Sequence, residues 1–134
     1  MHKKTPRITS AEEAVKSIKS GDNVFIHSNC AFPEILVEAM CDRHQELCDV
    51  KVHHLMTFQK ARYVDIGMEE FFTHNSLFTG SNVRKAVNEG RADFTPVFLS
   101  EIPLMIERGL IKIDVVLLQL SPPDSHGYCS YGVS

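Results

Sequence analysis

The stretch IDVVLLQLSPPDSHGYCSYGVS, Ile113–Ser134, decides how the chain is read. Val115-Val116-Leu117-Leu118, held between Asp114 and Gln119, is a short uninterrupted apolar run. That pattern belongs to a strand buried on both faces, the central kind in a parallel sheet. Ser121-Pro122-Pro123-Asp124 ends it, because two consecutive prolines remove the ladder donors. Open parallel sheets collect ligands beyond the carboxyl ends of their strands, so this stiff polar loop falls where a site belongs. The chain resumes with Tyr128, Ser130 and Gly132 and reaches Ser134 without a closing turn, cap or polar tail. The expectation is a domain that stops in mid-motif.

Upstream of this stretch, strands and helices alternate. Ser10 and Glu13 stand at capping-box spacing, and Ala11, Ala14, Val15 and Ile18 give a short amphipathic helix that Gly21 ends. Val24–His27 reads as the first strand. Pro33 suits the first position of the next helix, whose apolar face is Leu36, Val37, Met40 and Leu47. Between them Ser28, Asn29, Cys30 and Ala31 form a strand-to-helix turn with free amides. Small polar residues there suit a ligand's carbonyl or anion, and equally suit a plain turn.

Val50–Leu55 is a second strand. The segment 57–72 is long for a connection; it predicts a short helix at Met68–Phe72 and a role as lid or interface. Ser76–Thr79 reads as the third strand. Gly80-Ser81-Asn82 caps a helix with Val83, Ala86 and Val87 inward, closed by Gly90. Phe94–Leu99 reads as the fourth strand, with Pro96 near its start. Ser100 caps a last helix with Ile102, Met105, Ile106 and Leu110 inward. Right-handed crossovers stack such units into an α/β domain, a mainly parallel sheet with helices on both faces.

Bulk properties exclude several classes. The 134 residues suffice for one domain with a real core, and 43% are hydrophobic. No run approaches the ~20 apolar residues of a membrane span. Met1–Thr5 lacks the apolar core of a signal peptide, which predicts a cytoplasmic protein. Net charge is −3 with basic residues scattered, so nucleic acid is not expected as a partner. Cys30, Cys41, Cys48 and Cys129 form no CxxC pair, so neither a zinc site nor, in a reducing compartment, a disulfide is expected. Cys41 and Cys48 read as small apolar fillers.

Asp124, Ser125 and His126 have the residue types of a hydrolase triad but are consecutive, whereas a triad must converge in space. They read instead as a polar loop with an Asx-type turn, and no GxSxG elbow occurs. Adjacent His53 and His54 on a strand point to opposite faces and cannot chelate together. No metal-binding, dinucleotide or nucleoside-triphosphate motif is present, so no bound cofactor is expected. Glu101 beside a helix start is favourable with the helix dipole. The residues by themselves thus give an α/β domain with a site over its strand ends, and no reaction.

A resemblance carries the rest. Ala14–Asp22 (AVKSIKSGD), Leu36–Met40 (LVEAM), Gly90 with Phe94–Phe98 (FTPVF), Glu101-Ile102-Pro103 and Asp114-Val115 lead to Ser121-Pro122-Pro123-Asp124, Gly127-Tyr128-Cys129 and Gly132-Val133-Ser134. Together they resemble the N-terminal part of the acetyl-CoA hydrolase/transferase family, most of all its 4-hydroxybutyrate CoA-transferase branch. The resemblance implies two related α/β domains with the active site between them. It also implies ping-pong transfer of coenzyme A through a glutamyl-CoA thioester. The nucleophilic glutamate of the family lies in the second domain, and no glutamate here matches its motif, so no catalytic residue is carried over. The substrate-binding residues carried over are Ser28, Asn29, Cys30 and Ala31 with Ser121, Pro122, Pro123 and Asp124, although family members often have glycine in the first of these turns.

The expectation is therefore the N-terminal portion of a CoA-transferase, inactive alone. The parent would move coenzyme A between acetyl- or butyryl-CoA and a short acid such as 4-hydroxybutyrate, or hydrolyse acetyl-CoA. A non-catalytic module that binds acyl-CoA or a partner chain, or one subunit of a split enzyme, is the alternative. For the truncated portion a homodimer, or association through apolar surface at Tyr128–Val133, is expected; a free-standing module would instead be a stable monomer or dimer.

Overall fold

The computed structural model describes residues 7–132. The N-terminal segment Met1–Thr5 and the last two residues of the Gly132-Val133-Ser134 motif lie outside the described residues. The elements are α1 (Ala11–Ala14), β1 (Asn23–Ile26), α2 (Glu34–Asp42), β2 (Val50–His54), β3 (Phe72–Ser76), α3 (Ser81–Asn88), β4 (Asp93–Phe94), α4 (Ile102–Glu107) and β5 (Val115–Leu117). The sheet order is β4-β3-β2-β1-β5 and every pairing is parallel. The chain walks outward from β1 to β4, then returns to lay β5 on the other side of β1. The strand order reverses between β1 and β5, which makes that junction the topological switch point.

One face of the sheet builds the core. Val24 and Ile26 of β1, Val50 and Val52 of β2, Phe72 of β3 and Leu117 of β5 are buried together with Val37, Met40 and Cys41 of α2 and Val83 and Ala86 of α3. Alternation along each strand puts these residues on one side. α4 belongs to a second, smaller cluster, in which Ile102 meets Leu77 and Ile111. Arg62 ties the long 57–72 segment to α2 through Glu38 at 2.5 Å and Asp42 at 2.8 Å.

The other face carries a row of hydrogen bonds that crosses the whole sheet. Thr95 Oγ1 donates to Asn75 Oδ1 (2.8 Å), and Asn75 Nδ2 to His53 Nδ1 (3.4 Å). His53 Nε2 then donates to Asn23 Oδ1 (3.1 Å), and Asn23 Nδ2 to Asp114 Oδ2 (3.2 Å). Every donor points the same way, which requires a neutral His53. Burial, with Lys51 beside it, lowers the His53 pKa in the sense that keeps it neutral.

Several local expectations are corrected. β5 is an edge strand, not a central one: Val116 is 49% exposed and β1 is its only partner among the described residues. β3 begins at Phe72, four residues before the expected Ser76, because Phe72 and His74 are taken into the core. No helix forms at Met68–Phe72; burial of Tyr63 and Val64 places a 3-10 turn at Arg62–Val64 instead. β4 is two residues long, since Pro96 has no N–H to continue the ladder after Thr95 donates to Ser76. In α4 only Ile102 is fully inward, while Ile106 is exposed, and Leu110, also exposed, lies beyond the helix end. Ser100 lies inside the 3-10 turn Leu99–Glu101, and the Glu101 carboxylate accepts the Phe98 N–H there. At α1 half the capping box forms: Ser10 Oγ accepts from Glu13, whose own carboxylate pairs with Arg7 and Lys16.

Candidate functional site

The end of β1 and the end of β5 leave the sheet side by side. Ile26 is paired with Leu117, and His27 N–H donates to the Leu117 carbonyl at 2.9 Å. The turn after β1 and the loop after β5 therefore face each other across the switch point. Two adjoining clefts lie between them, of about 330 and 480 Å³. Cys30, Gln119 and Leu120 line both.

The two carried-over segments meet here unequally. Cys30, Ala31 and Ser121 line the first cleft. Ser28 and Asn29 stand behind it as framework: Ser28 Oγ accepts the Leu55 N–H at 3.2 Å, and Asn29 forms an isolated parallel bridge with Thr57. Asn29 holds φ at 55°, the left-handed conformation that asparagine tolerates better than other non-glycine residues. The backbone shape that glycine would give this turn is thus present without the glycine.

Ser121 closes the neck of the following loop. Its N–H donates to the Ser130 carbonyl at 3.0 Å, and its Oγ accepts the Ser130 N–H at 2.8 Å. Pro122, Pro123 and Asp124 are exposed beyond that neck and line neither cleft. Asp124 Oδ1 accepts the N–H of His126 (2.8 Å) and of Tyr128 (2.9 Å), an Asx turn within its own loop. Asp124, Ser125 and His126 form no triad.

Other lining residues carry no local sequence signal. Gln59 reaches the second cleft from the segment after β2. Tyr131 closes the first, and its ring meets His27 edge-on at 6.2 Å. Gln119 sits at the border of the apolar run, the one place where strand-end reasoning could have found it. The described lining contains no lysine or arginine, and Glu34, at the first position of α2, is its single carboxylate. Apart from Glu34 it is an uncharged wall with amide, hydroxyl and thiol groups over apolar surface.

Beneath the Asn29 turn lies a buried polar cluster. His54 stacks on His74 at 4.3 Å, and Tyr63 O–H donates to His54 Nε2 at 2.6 Å. The other ring nitrogen of His54 bonds the Leu55 carbonyl, and His74 Nδ1 bonds the Val52 carbonyl at 2.9 Å. Burial holds His54 down at about 4 and His74 at about 3, so both rings are neutral. His53 points to the opposite face. No group of three or more potential metal ligands occurs among the described residues. Cys41 is buried and its thiol pushed up to about 12 by that burial, which fits a filler role.

A five-stranded parallel α/β sheet with a cleft at its switch point places this chain in the open-sheet α/β class, whose ligands collect at that position. The chain belongs to the acetyl-CoA hydrolase/transferase N-terminal domain family, whose model matches residues 2–134. It is 42% identical to the succinyl-CoA:acetate/propanoyl-CoA:succinate CoA transferase of Fasciola hepatica, over 94% of this chain and 26% of that protein. It is 38% identical to the 4-hydroxybutyrate coenzyme A transferase of Clostridium kluyveri, over 96% of this chain and 30% of that protein. Among solved structures it superposes on RipA from Yersinia pestis with a TM-score of 0.79 at 27% identity, covering 93% of this chain and 31% of that one. The chain thus spans about a quarter to a third of the length of the proteins it matches.

Proposed function

We propose that this domain is the N-terminal wall of the acyl pocket of a CoA-transferase. The enzyme would move coenzyme A between an acyl-CoA such as acetyl- or butyryl-CoA and a short acid such as 4-hydroxybutyrate. The observation that carries this is the meeting of the Cys30–Ala31 turn and the Gln119–Ser121 segment in one cleft at the switch point. Relatives that are themselves CoA transferases support the reaction class.

The nucleophile is a glutamate in a second domain outside this chain. Its carboxylate attacks the thioester carbonyl, the C–S bond breaks, and an acyl-glutamyl anhydride and CoA thiolate form. The thiolate attacks the glutamyl carbonyl and releases the first acid, leaving a glutamyl-CoA thioester that the incoming acid resolves by the reverse steps. The wall described here supplies shape and dryness. Ala31, Leu120 and Tyr131 give apolar surface to a short acyl chain, and Gln119 and Ser130 offer uncharged hydrogen-bonding groups. Excluding water is what separates transfer from hydrolysis.

We place the domain in the cytoplasm and infer that it pairs with a second copy or another chain through the stretch Tyr128–Val133. Label exchange between acetate and butyryl-CoA tests the assignment: the 134-residue chain alone gives no turnover. Sustained turnover by the chain would place the nucleophile inside it and overturn the proposal.

A further inference from the structure

Asn82, in the first turn of α3, does something a helix-start asparagine need not do. Its Nδ2 donates twice, to Thr57 Oγ1 at 2.9 Å and to the Gln59 carbonyl at 2.8 Å. Both amide protons are spent on the segment after β2, some two dozen residues away in sequence. Thr57 is buried, and its hydroxyl also hydrogen-bonds Tyr63. Tyr63 in turn donates to His54, and His54 to the Leu55 carbonyl. The 55–59 segment is thus gripped at both ends by one chain of side-chain hydrogen bonds.

The same segment carries the turn after β1. Asn29 N–H donates to the Met56 carbonyl at 2.8 Å, Asn29 bridges Thr57, and Leu55 N–H donates to Ser28 Oγ. Gln59 lies in the cleft lining next to Cys30. Gly80 completes the fit from the helix side. A Cβ there would stand 2.8 Å from Asn82 Oδ1, closer than real contacts allow, and 3.1 Å from the Thr57 carbonyl, a tight approach. α3 approaches the segment closely because residue 80 has no side chain.

We propose that Asn82 is a positioning residue for the switch-point cleft. It sets the 55–59 segment, and through that segment both Gln59 and the Asn29–Cys30 turn. Its relevance to substrate rests on the cleft being the acyl site. The clasp itself is testable without that premise.

Asn82→Ala removes both donors, and Gly80→Ala retains the amide but sets a Cβ against its Oδ1 and the Thr57 carbonyl, so two unlike perturbations reach one contact. Arg84→Ala, on the exposed side of α3, is the control. Hydrogen exchange by NMR is read at the Asn29 amide and at the amides pairing β1 with β2, and alkylation of Cys30 is read against Cys48 in the same molecule. Either clasp variant raises Asn29 exchange about tenfold or more and changes the Cys30:Cys48 alkylation ratio, while the β1–β2 amides and the control stay near wild type. If one variant does not fold, the other decides. Asn29 exchange unchanged, or raised by the same factor as the β1–β2 amides, would overturn the proposal. Butyryl-CoA titrated into the wild-type chain judges the acyl-site premise separately.

Discussion

Asn29 donates its backbone N–H to the Met56 carbonyl at 2.8 Å while holding φ at 55°. This single relationship joins the turn after β1 to the segment after β2, and it fixes the direction in which Cys30 and Ala31 enter the cleft. A left-handed residue costs L-amino acids roughly 1–2 kcal/mol unless it is glycine, or asparagine with its short polar side chain. Asn29→Gly is therefore expected to keep stability within a few tenths of a kcal/mol, and Asn29→Val to lose about 1–2 kcal/mol. Urea unfolding followed by circular dichroism checks both. Equal stability of the two variants would mean that the turn is not held in this conformation.

Tyr63 O–H is the donor to a buried His54 Nε2. Tyr63→Phe keeps the ring packing and removes that donor, leaving a buried acceptor unsatisfied, which costs about 1–3 kcal/mol. The loss is expected in the unfolding midpoint with an unchanged denaturant slope. An unaltered midpoint would show that the hydroxyl contributes nothing there.

The two stacked histidines make stability fall on the acid side. Unfolded, each titrates near 6.5; folded, burial holds His54 at about 4 and His74 at about 3. In that window the unfolded chain binds more protons, so stability is full above about pH 6.5. It declines as pH falls toward the folded values, by up to roughly 1.4 kcal/mol per pH unit for each histidine. Unfolding measured from pH 7 to pH 5 is expected to show this slope, to which the lowered His53 adds, and His74→Leu to reduce it without abolishing it. A slope that His74→Leu leaves untouched would assign the acid sensitivity to other groups.

β5 offers an unprotected edge. Val116, Leu118 and Leu120 are 49%, 36% and 40% exposed, and no lysine or proline interrupts Val115–Leu120. Such edges recruit further strands. Light scattering is expected to show concentration-dependent association of the chain, and Val116→Lys to shift it toward monomer. A wild-type monomer at high concentration would rule out pairing through this edge.

Much of this was legible in the sequence because it is written locally. The apolar run at Val115–Leu118, the turn residues at Ser28–Ala31 and the alternation of strands with helices were enough for a parallel α/β domain. The Asx turn at Asp124 and the opposed directions of His53 and His54 also follow from short-range geometry. What was not legible depends on order in space. An apolar run cannot show whether its strand lies at the centre or the edge, so β5 was misplaced. Phe72 reads equally as the end of a helix or the start of a strand until His74 is seen to share its face. Gln59 enters the cleft, and Asn82 clasps Thr57, only because the sheet brings distant segments together. The Asp114–Asn23–His53–Asn75–Thr95 row has no sequence period at all.

The most direct test of the account maps where an acyl-CoA touches the domain. Butyryl-CoA titrated at millimolar concentration into the isotope-labelled chain is expected to shift the amides of Cys30, Ala31, Gln119, Ser121 and Ser130, leaving those of α3 and β4 unmoved. Saturable shifts centred away from the switch point, or none at the highest concentration, would contradict the assignment of this cleft as the acyl wall of a CoA-transferase.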